Sequence, residues 1–220
     1  MNISGKSFKA VIFDLDNTLA DRKYAFEMHS KKLAELYLKD RSNEEKEQFV
    51  RRMIVLDKNG YAPKSEVYGT ICREFSPDGT PDELFSKWRE NAALFTRQEP
   101  FAEEILIYLK DKYRLSLLTN GSFKTQSVKL ESVGLRKYFE RVIISEETGT
   151  EKPDREIYLL ICRETGVMPG EALYIGDHME NDVKGPLSAG MSAVLYDKYG
   201  TYKGVYENTV SSLKELMLYL

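Results

Sequence analysis

From residue 100 to residue 196 the chain alternates short apolar runs with amphipathic helical patterns, and this alternation restricts the fold more than any other feature. The spacing predicts a helix over 101–112 and then the strand Leu115-Ser116-Leu117-Leu118-Thr119. A helix over 124–133 follows, closed by Gly134, a natural C-cap residue. The strand Arg141-Val142-Ile143-Ile144-Ser145 comes next, then a helix over 155–165 that stops at Gly166. The strand Leu173-Tyr174-Ile175-Gly176, a short helix through Leu187 and a strand over 192–196 complete the series. Strands separated by helices pair in parallel, and a parallel sheet is covered on both faces. An earlier run over 8–13 is too apolar to stand alone and must join that sheet. The expected fold is α/β, an open three-layer parallel sheet.

Residues 22–94 show no strand pattern and read as successive amphipathic helices. Tyr24, Met28, Leu33, Leu36 and Tyr37 form one apolar stripe, and Phe49, Met53, Ile54 and Leu56 another, after Ser42 and Asn43 as candidate caps. Gly60 and Pro63 punctuate the next connection. Thr80 caps a helix with Pro81 at its first position and Glu83 three residues on. This block is an insertion, which gives two expected domains: 1–20 with 97–220, and 21–96. Residues 210–220 read as a short amphipathic helix.

Polar residues stand where each strand stops. The first strand ends in Asp14 and Asp16, with the Thr18 hydroxyl two residues further on. In an open α/β sheet, ligands collect outside the carboxyl ends of the strands. Two carboxylates there repel each other and call for a hard, oxygen-bound cation such as Mg²⁺. Taken alone, Asp16-Asn17 could equally start a turn and cap a helix. Thr119-Asn120-Gly121, Lys152-Pro153 and Gly176-Asp177 with Asp182 each have a plain turn or loop reading in isolation. His178 is ranked as a loop residue, and His29 as helix surface or packing. Independent turns would rarely all fall at strand ends in order, and parallel strands would gather these segments on one edge.

That set suits phosphoryl transfer, where catalysis is largely positioning and charge neutralisation. A metal held by Asp14, Asp177 and a backbone carbonyl near Asp16 would screen an attacking carboxylate from phosphate. Lys152 would offset negative charge. The Thr119 hydroxyl and the N–H groups of Asn120 and Gly121 would bind phosphate oxygens. Asp16 would protonate the leaving alcohol and later accept a proton from water.

The formal net charge of −3 argues against a nucleic-acid surface, which needs a basic patch. With 42% hydrophobic and 30% charged residues, the composition is that of a soluble globular protein. Cys72 and Cys162 lie far apart, so buried packing is favoured over a disulfide or zinc site, and reduced thiols fit the cytoplasm. No apolar leader precedes Asp14, and no run reaches membrane-spanning length.

The order Asp14-x-Asp16-x-Thr18, then Thr119, then Lys152-Pro153, then Gly176-Asp177-x-x-x-x-Asp182 resembles the haloacid dehalogenase (HAD) superfamily. The inserted helices resemble the cap of its subclass with an α-helical cap. The resemblance implies a Rossmann-like core and a phosphoaspartyl-enzyme mechanism. Asp14 would be the nucleophile and Asp16 the general acid/base. Thr119 and Lys152 would hold the phosphoryl group, with Thr18, Asn120 and Gly121 beside the substrate. Asp14, Asp16 through its backbone, and Asp177 would bind Mg²⁺, and Asp182 would support the metal or orient Lys152. In the metal-free dehalogenases the position of Asp16 is usually not an acid, so the phosphatases are the nearer likeness. The expected partner is a small phosphorylated metabolite, a sugar phosphate or nucleoside monophosphate. A phosphomutase and a non-catalytic phospholigand-binding protein stay open as alternatives. The cap would close on hinges near Ala20-Asp21 and 96–100, and Arg22, Lys23, Tyr24 and Asn59-Gly60-Tyr61 are candidates for choosing substrate.

Overall fold

The computed structural model describes Ile3 and residues 6–220. Met1, Asn2, Ser4 and Gly5, part of the stretch read as lacking a leader, lie outside the described residues. The chain divides into two compact units, Met1–Ala20 with Gln98–Leu220, and Asp21–Arg97.

The first unit is built on six strands: β1 (Ala10–Phe13), β2 (Arg114–Thr119), β3 (Arg141–Ile144), β4 (Ala172–Gly176), β5 (Ser192–Tyr196) and β6 (Thr209–Val210). They lie in the order β3-β2-β1-β4-β5-β6, and every neighbouring pair is parallel. Phe13 pairs with Leu117 on one side and Ile175 on the other. Successive side chains on a strand point to opposite faces. Val11, Phe13, Leu117 and Ile175 therefore enter one apolar layer, while Ile12, Leu118 and Tyr174 enter the second. This two-sided burial explains why the strands read as continuous apolar runs. The strand order reverses beside β1, and the crevice expected at such a switch point is flanked by the residues that follow β1 and β4.

The second unit holds four helices: α1 (Arg22–Tyr37), α2 (Asn43–Asp57), α3 (Lys64–Phe75) and α4 (Pro81–Phe95). Capping boxes open α2 (Ser42 with Glu45) and α4 (Thr80 with Glu83). The stripe expected on α1 is rotated. Its buried face carries Ala25, Phe26, His29, Ser30, Leu33 and Ala34, while Tyr24, Met28, Leu36 and Tyr37 are half-buried. Ala25, Ser30 and Ala34 alternate with larger side chains on that face, and its two polar residues find partners inside: Ser30 donates to the Phe26 carbonyl (2.8 Å) and His29 Nε2 pairs with the Tyr68 hydroxyl (3.1 Å). Arg22 is buried as well, paired with Asp57, which also receives Lys64 (2.6 Å).

Helices α5 (Ala102–Leu109) and α6 (Phe123–Ser132) cover one face of the sheet, and α7 (Arg155–Thr165) the other; α8 (Gly185–Ser188) is short. Three expectations need correction. The first strand starts at Ala10 rather than at residue 8. The segment read as a C-terminal α-helix instead forms β6 and then 3₁₀ turns over Leu213–Leu218. A three-residue turn puts Leu213 and Leu216 on the same side, and both are buried. Cys162 is buried as expected, whereas Cys72 is only half-buried. Among the described residues, no helix is long and apolar enough to cross a membrane.

Candidate active site

The turn after β1 aims two residues inward. The Leu15 carbonyl accepts the N–H groups of Leu19 and Ala20 (both 2.9 Å), and Asn17 takes a left-handed conformation (φ 59°), which Asn tolerates better than most residues. Asp14 is thereby buried at the end of its strand, its N–H donated to the Ile175 carbonyl (2.9 Å). The fully buried Thr18 donates its hydroxyl to Asp14 Oδ2 (3.3 Å).

Lys152 Nζ donates to Asp14 Oδ1 (2.7 Å), Asp182 Oδ1 (2.7 Å) and the Tyr174 hydroxyl (3.0 Å), which uses all three of its protons. Tyr174 in turn donates to the Leu118 carbonyl (2.9 Å). Asp182 Oδ2 accepts the His178 N–H (2.9 Å). Burial opposes the charge on Lys152, but Asp14 and Asp182 outweigh it and hold the ammonium well above its ordinary range. Burial pushes Asp14 up to about 7, with Lys152 pulling the other way and Asp182 adding to the rise. Asp177 is half-buried, and burial followed by Asp182 and Asp14 raises it well above the carboxylate range. Asp14, Asp177 and Asp182 can each offer an oxygen with all three atoms within 4.8 Å of one another. Three crowded carboxylates, two of them paired with one ammonium, make an oxygen donor set suited to a hard divalent cation.

A second cluster centres on Asp16. Lys129 Nζ donates to both of its carboxylate oxygens (2.8 Å each) and to Gln126 Oε1 (2.9 Å). Gln126 Nε2 reaches Asp16 Oδ2 (3.0 Å) and Thr119 Oγ1 (2.8 Å). The structure thus gathers Asp14, Thr18, Lys152, Asp177 and Asp182 in one group, and Asp16 and Thr119 in another. Gly121 is engaged differently from expectation, and Asn120 takes on a side-chain role. The Asn120 side chain bonds the backbone of Lys152, and the Gly121 N–H goes to Ser145 Oγ (3.1 Å). His178 occupies the loop after β4, and its Nδ1 accepts the Asn181 N–H (3.3 Å).

Sequence reasoning missed Gln126, Lys129, Tyr174 and Ser145. The first two escaped because their helix departs from ordinary patterning. Helix α6 exposes Phe123 and Val128 while burying Gln126 and Lys129, an inversion of ordinary amphipathic patterning.

A family model described as haloacid dehalogenase-like hydrolase matches residues 11–196. The chain is 27% identical over 202 residues to N-acylneuraminate-9-phosphatase of Rattus norvegicus, covering 86% of this chain and 82% of that protein. It is 32% identical over 193 residues to glyceraldehyde 3-phosphate phosphatase of Methanothermobacter thermautotrophicus, covering 85% and 84%. Among solved structures, the magnesium-bound HAD-hydrolase YfnB of Bacillus subtilis superposes with a TM-score of 0.80 at 23% identity, covering 97% of this chain and 98% of that one.

Proposed function

The chain belongs to the haloacid dehalogenase-like hydrolases, and from that premise we propose that it is a Mg²⁺-dependent phosphatase of small phosphomonoesters. The observation that carries this reading is the buried Asp14–Lys152–Asp182 group beside Asp177. Asp14 is the nucleophile: its carboxylate oxygen attacks phosphorus as the bond to the leaving alcohol oxygen breaks. Asp16 gives that oxygen a proton, then takes one from the water that hydrolyses the aspartyl phosphate. Thr119 and Lys152 hold the phosphoryl oxygens, Lys152 by giving up one of the three acceptors it bonds here. Mg²⁺, held by Asp14, Asp177, the Asp16 backbone and Asp182, would neutralise charge between nucleophile and phosphate. Both oxygens of Asp182 already accept a donor, which supports a main role in orienting Lys152. Thr18 steadies the nucleophile from behind.

The substrate class is a small phosphorylated metabolite of sugar-phosphate or nucleoside-monophosphate type. The relatives' names, phosphatases of an N-acylneuraminate 9-phosphate and of glyceraldehyde 3-phosphate, favour the sugar-phosphate side. The free thiols of Cys72 and Cys162 fit a cytoplasmic enzyme. The test is phosphate release from a panel of phosphorylated metabolites with Mg²⁺ and with EDTA, wild type beside Asp14→Asn. Release that needs both Mg²⁺ and Asp14 is expected. Release that persists in Asp14→Asn would remove the nucleophile assignment.

A further inference from the structure

We propose that Lys129, acting with Gln126, is the positioning residue that aims the Asp16 carboxylate at the leaving-group oxygen. This rests on the phosphatase reading above and extends it to residues outside the four motifs. The side chain of Lys129 is 3% exposed, yet its ammonium lies 2.8 Å from each Asp16 oxygen. An ammonium bonded to both oxygens fixes the plane of the carboxylate as well as its position. Gln126 closes the arrangement, because its amide nitrogen bridges Asp16 to the Thr119 hydroxyl while its oxygen accepts from Lys129. Gln126 and Lys129 stand three positions apart on α6 and therefore share a face. The proton donor and the phosphate-binding hydroxyl are thus tied to one rigid helix, so the distance between them is set by α6 rather than by the loop after β1.

The lysine also completes the local charge. Four carboxylates (Asp14, Asp16, Asp177, Asp182) face two buried ammonium groups (Lys129, Lys152). Lys152 serves Asp14 and Asp182, and Lys129 serves Asp16.

A residue that aims the general acid matters most when the leaving oxygen needs a proton. Lys129→Met should lower kcat/KM on an alkyl phosphomonoester, which reports the step that expels the alcohol, about 100-fold, the scale of a lost acid–base contribution. Its loss on p-nitrophenyl phosphate, whose leaving group departs as a stable anion, should be at least about tenfold smaller. KM should change less than kcat on both substrates, and Lys129→Arg should restore part of the alkyl-phosphate rate. In an Asp16→Asn background, Lys129→Met should add little further loss, the non-additivity of residues acting through each other.

Equal losses of kcat/KM on the two substrates in a folded Lys129→Met protein, or full additivity with Asp16→Asn, would overturn the inference. If Lys129→Met does not fold, as judged by circular dichroism, the same substrate ratio measured in Gln126→Leu and Lys129→Arg decides it. A ratio unchanged from wild type in both of these would also overturn it. Wild type releasing phosphate from neither substrate class would sink the phosphatase reading itself, which separates that failure from failure of the Lys129 assignment.

Discussion

Asn120 and Lys152 exchange two hydrogen bonds: Asn120 Nδ2 donates to the Lys152 carbonyl and Asn120 Oδ1 accepts the Lys152 N–H, both at 2.8 Å. A side-chain amide here pairs with a peptide unit much as a neighbouring strand would. It fixes the backbone from which the Lys152 ammonium reaches Asp14 and Asp182.

Asn120→Ala should therefore act through Lys152. It leaves a peptide N–H and a carbonyl unpaired, each worth about 1–3 kcal/mol when buried. Turnover should fall roughly 10- to 100-fold, as expected when a catalytic group is displaced by about 1 Å. Asn120→Asp keeps only the acceptor and should fall in between. Steady-state kinetics with a urea melt check this, and an Asn120→Ala enzyme with wild-type kcat would contradict the link.

A Cβ placed on Gly176 would stand 2.5 Å from the Asp182 Cβ. Asp182 cannot easily yield, because Lys152 and the His178 N–H hold its two oxygens. Gly176→Ala should destabilise the protein by about 1–3 kcal/mol, the usual consequence of overpacking. It should also lower activity by moving the partner of Lys152. A variant with wild-type stability and wild-type rate would show that the site gives way more readily than this packing implies.

The sheet was legible because both faces of β1, β2 and β4 are apolar, and α7 between them carries an ordinary cap at Asp154 and a glycine stop at Gly166. Asp14, Asp16, Thr119, Lys152 and Asp177 were legible because each ends a strand or lies in the loop after one, and strand ends meet at a switch point. Lys129 and Gln126 were not, because a single helix does not announce which face turns inward when its apolar residues point to solvent. Asn120 was legible as a turn residue, but its partner lies 32 residues on, a separation no local pattern encodes. Two-residue β6 is too short to show alternation.

His29 lends the second unit a pH-dependent stability. It is fully buried among Phe26, Tyr68 and Trp88, its Nδ1 has no hydrogen-bond partner among the described residues, and burial lowers its pKa from 6.5 to about 3. Above pH 6.5 both folded and unfolded chains hold it neutral, and its contribution is constant. Between pH 6.5 and 3 the unfolded chain takes up a proton that the folded chain refuses, so stability falls as pH falls, by up to about 1.4 kcal/mol per pH unit. His29→Gln, which can still bond Tyr68, removes this slope. Urea melts of both proteins between pH 7 and 4 should diverge in that sense, and parallel curves would refute the assignment.

Asp177 should report metal binding without any assay of turnover. In EDTA, the raised pKa values of Asp14 and Asp177 mean that the folded chain keeps protons the unfolded chain has released. Their contribution to stability is present below the unfolded value of 3.8 and is lost as pH rises, for Asp14 through about 7. A bound Mg²⁺ favours the ionised carboxylates, so its stabilising effect should grow over that same rise in pH. At 100 times Kd it contributes about 2.7 kcal/mol, a rise in Tm of roughly 5–10 °C for a chain of this size. Asp177→Asn removes one crowded carboxylate with little change of shape. In EDTA it should melt at or above the wild-type temperature, and added Mg²⁺ should raise its Tm far less. Thermal melts at pH 5 and pH 7, with Mg²⁺ and with EDTA, separate the outcomes. A full Mg²⁺ response in Asp177→Asn would take this residue out of the metal site.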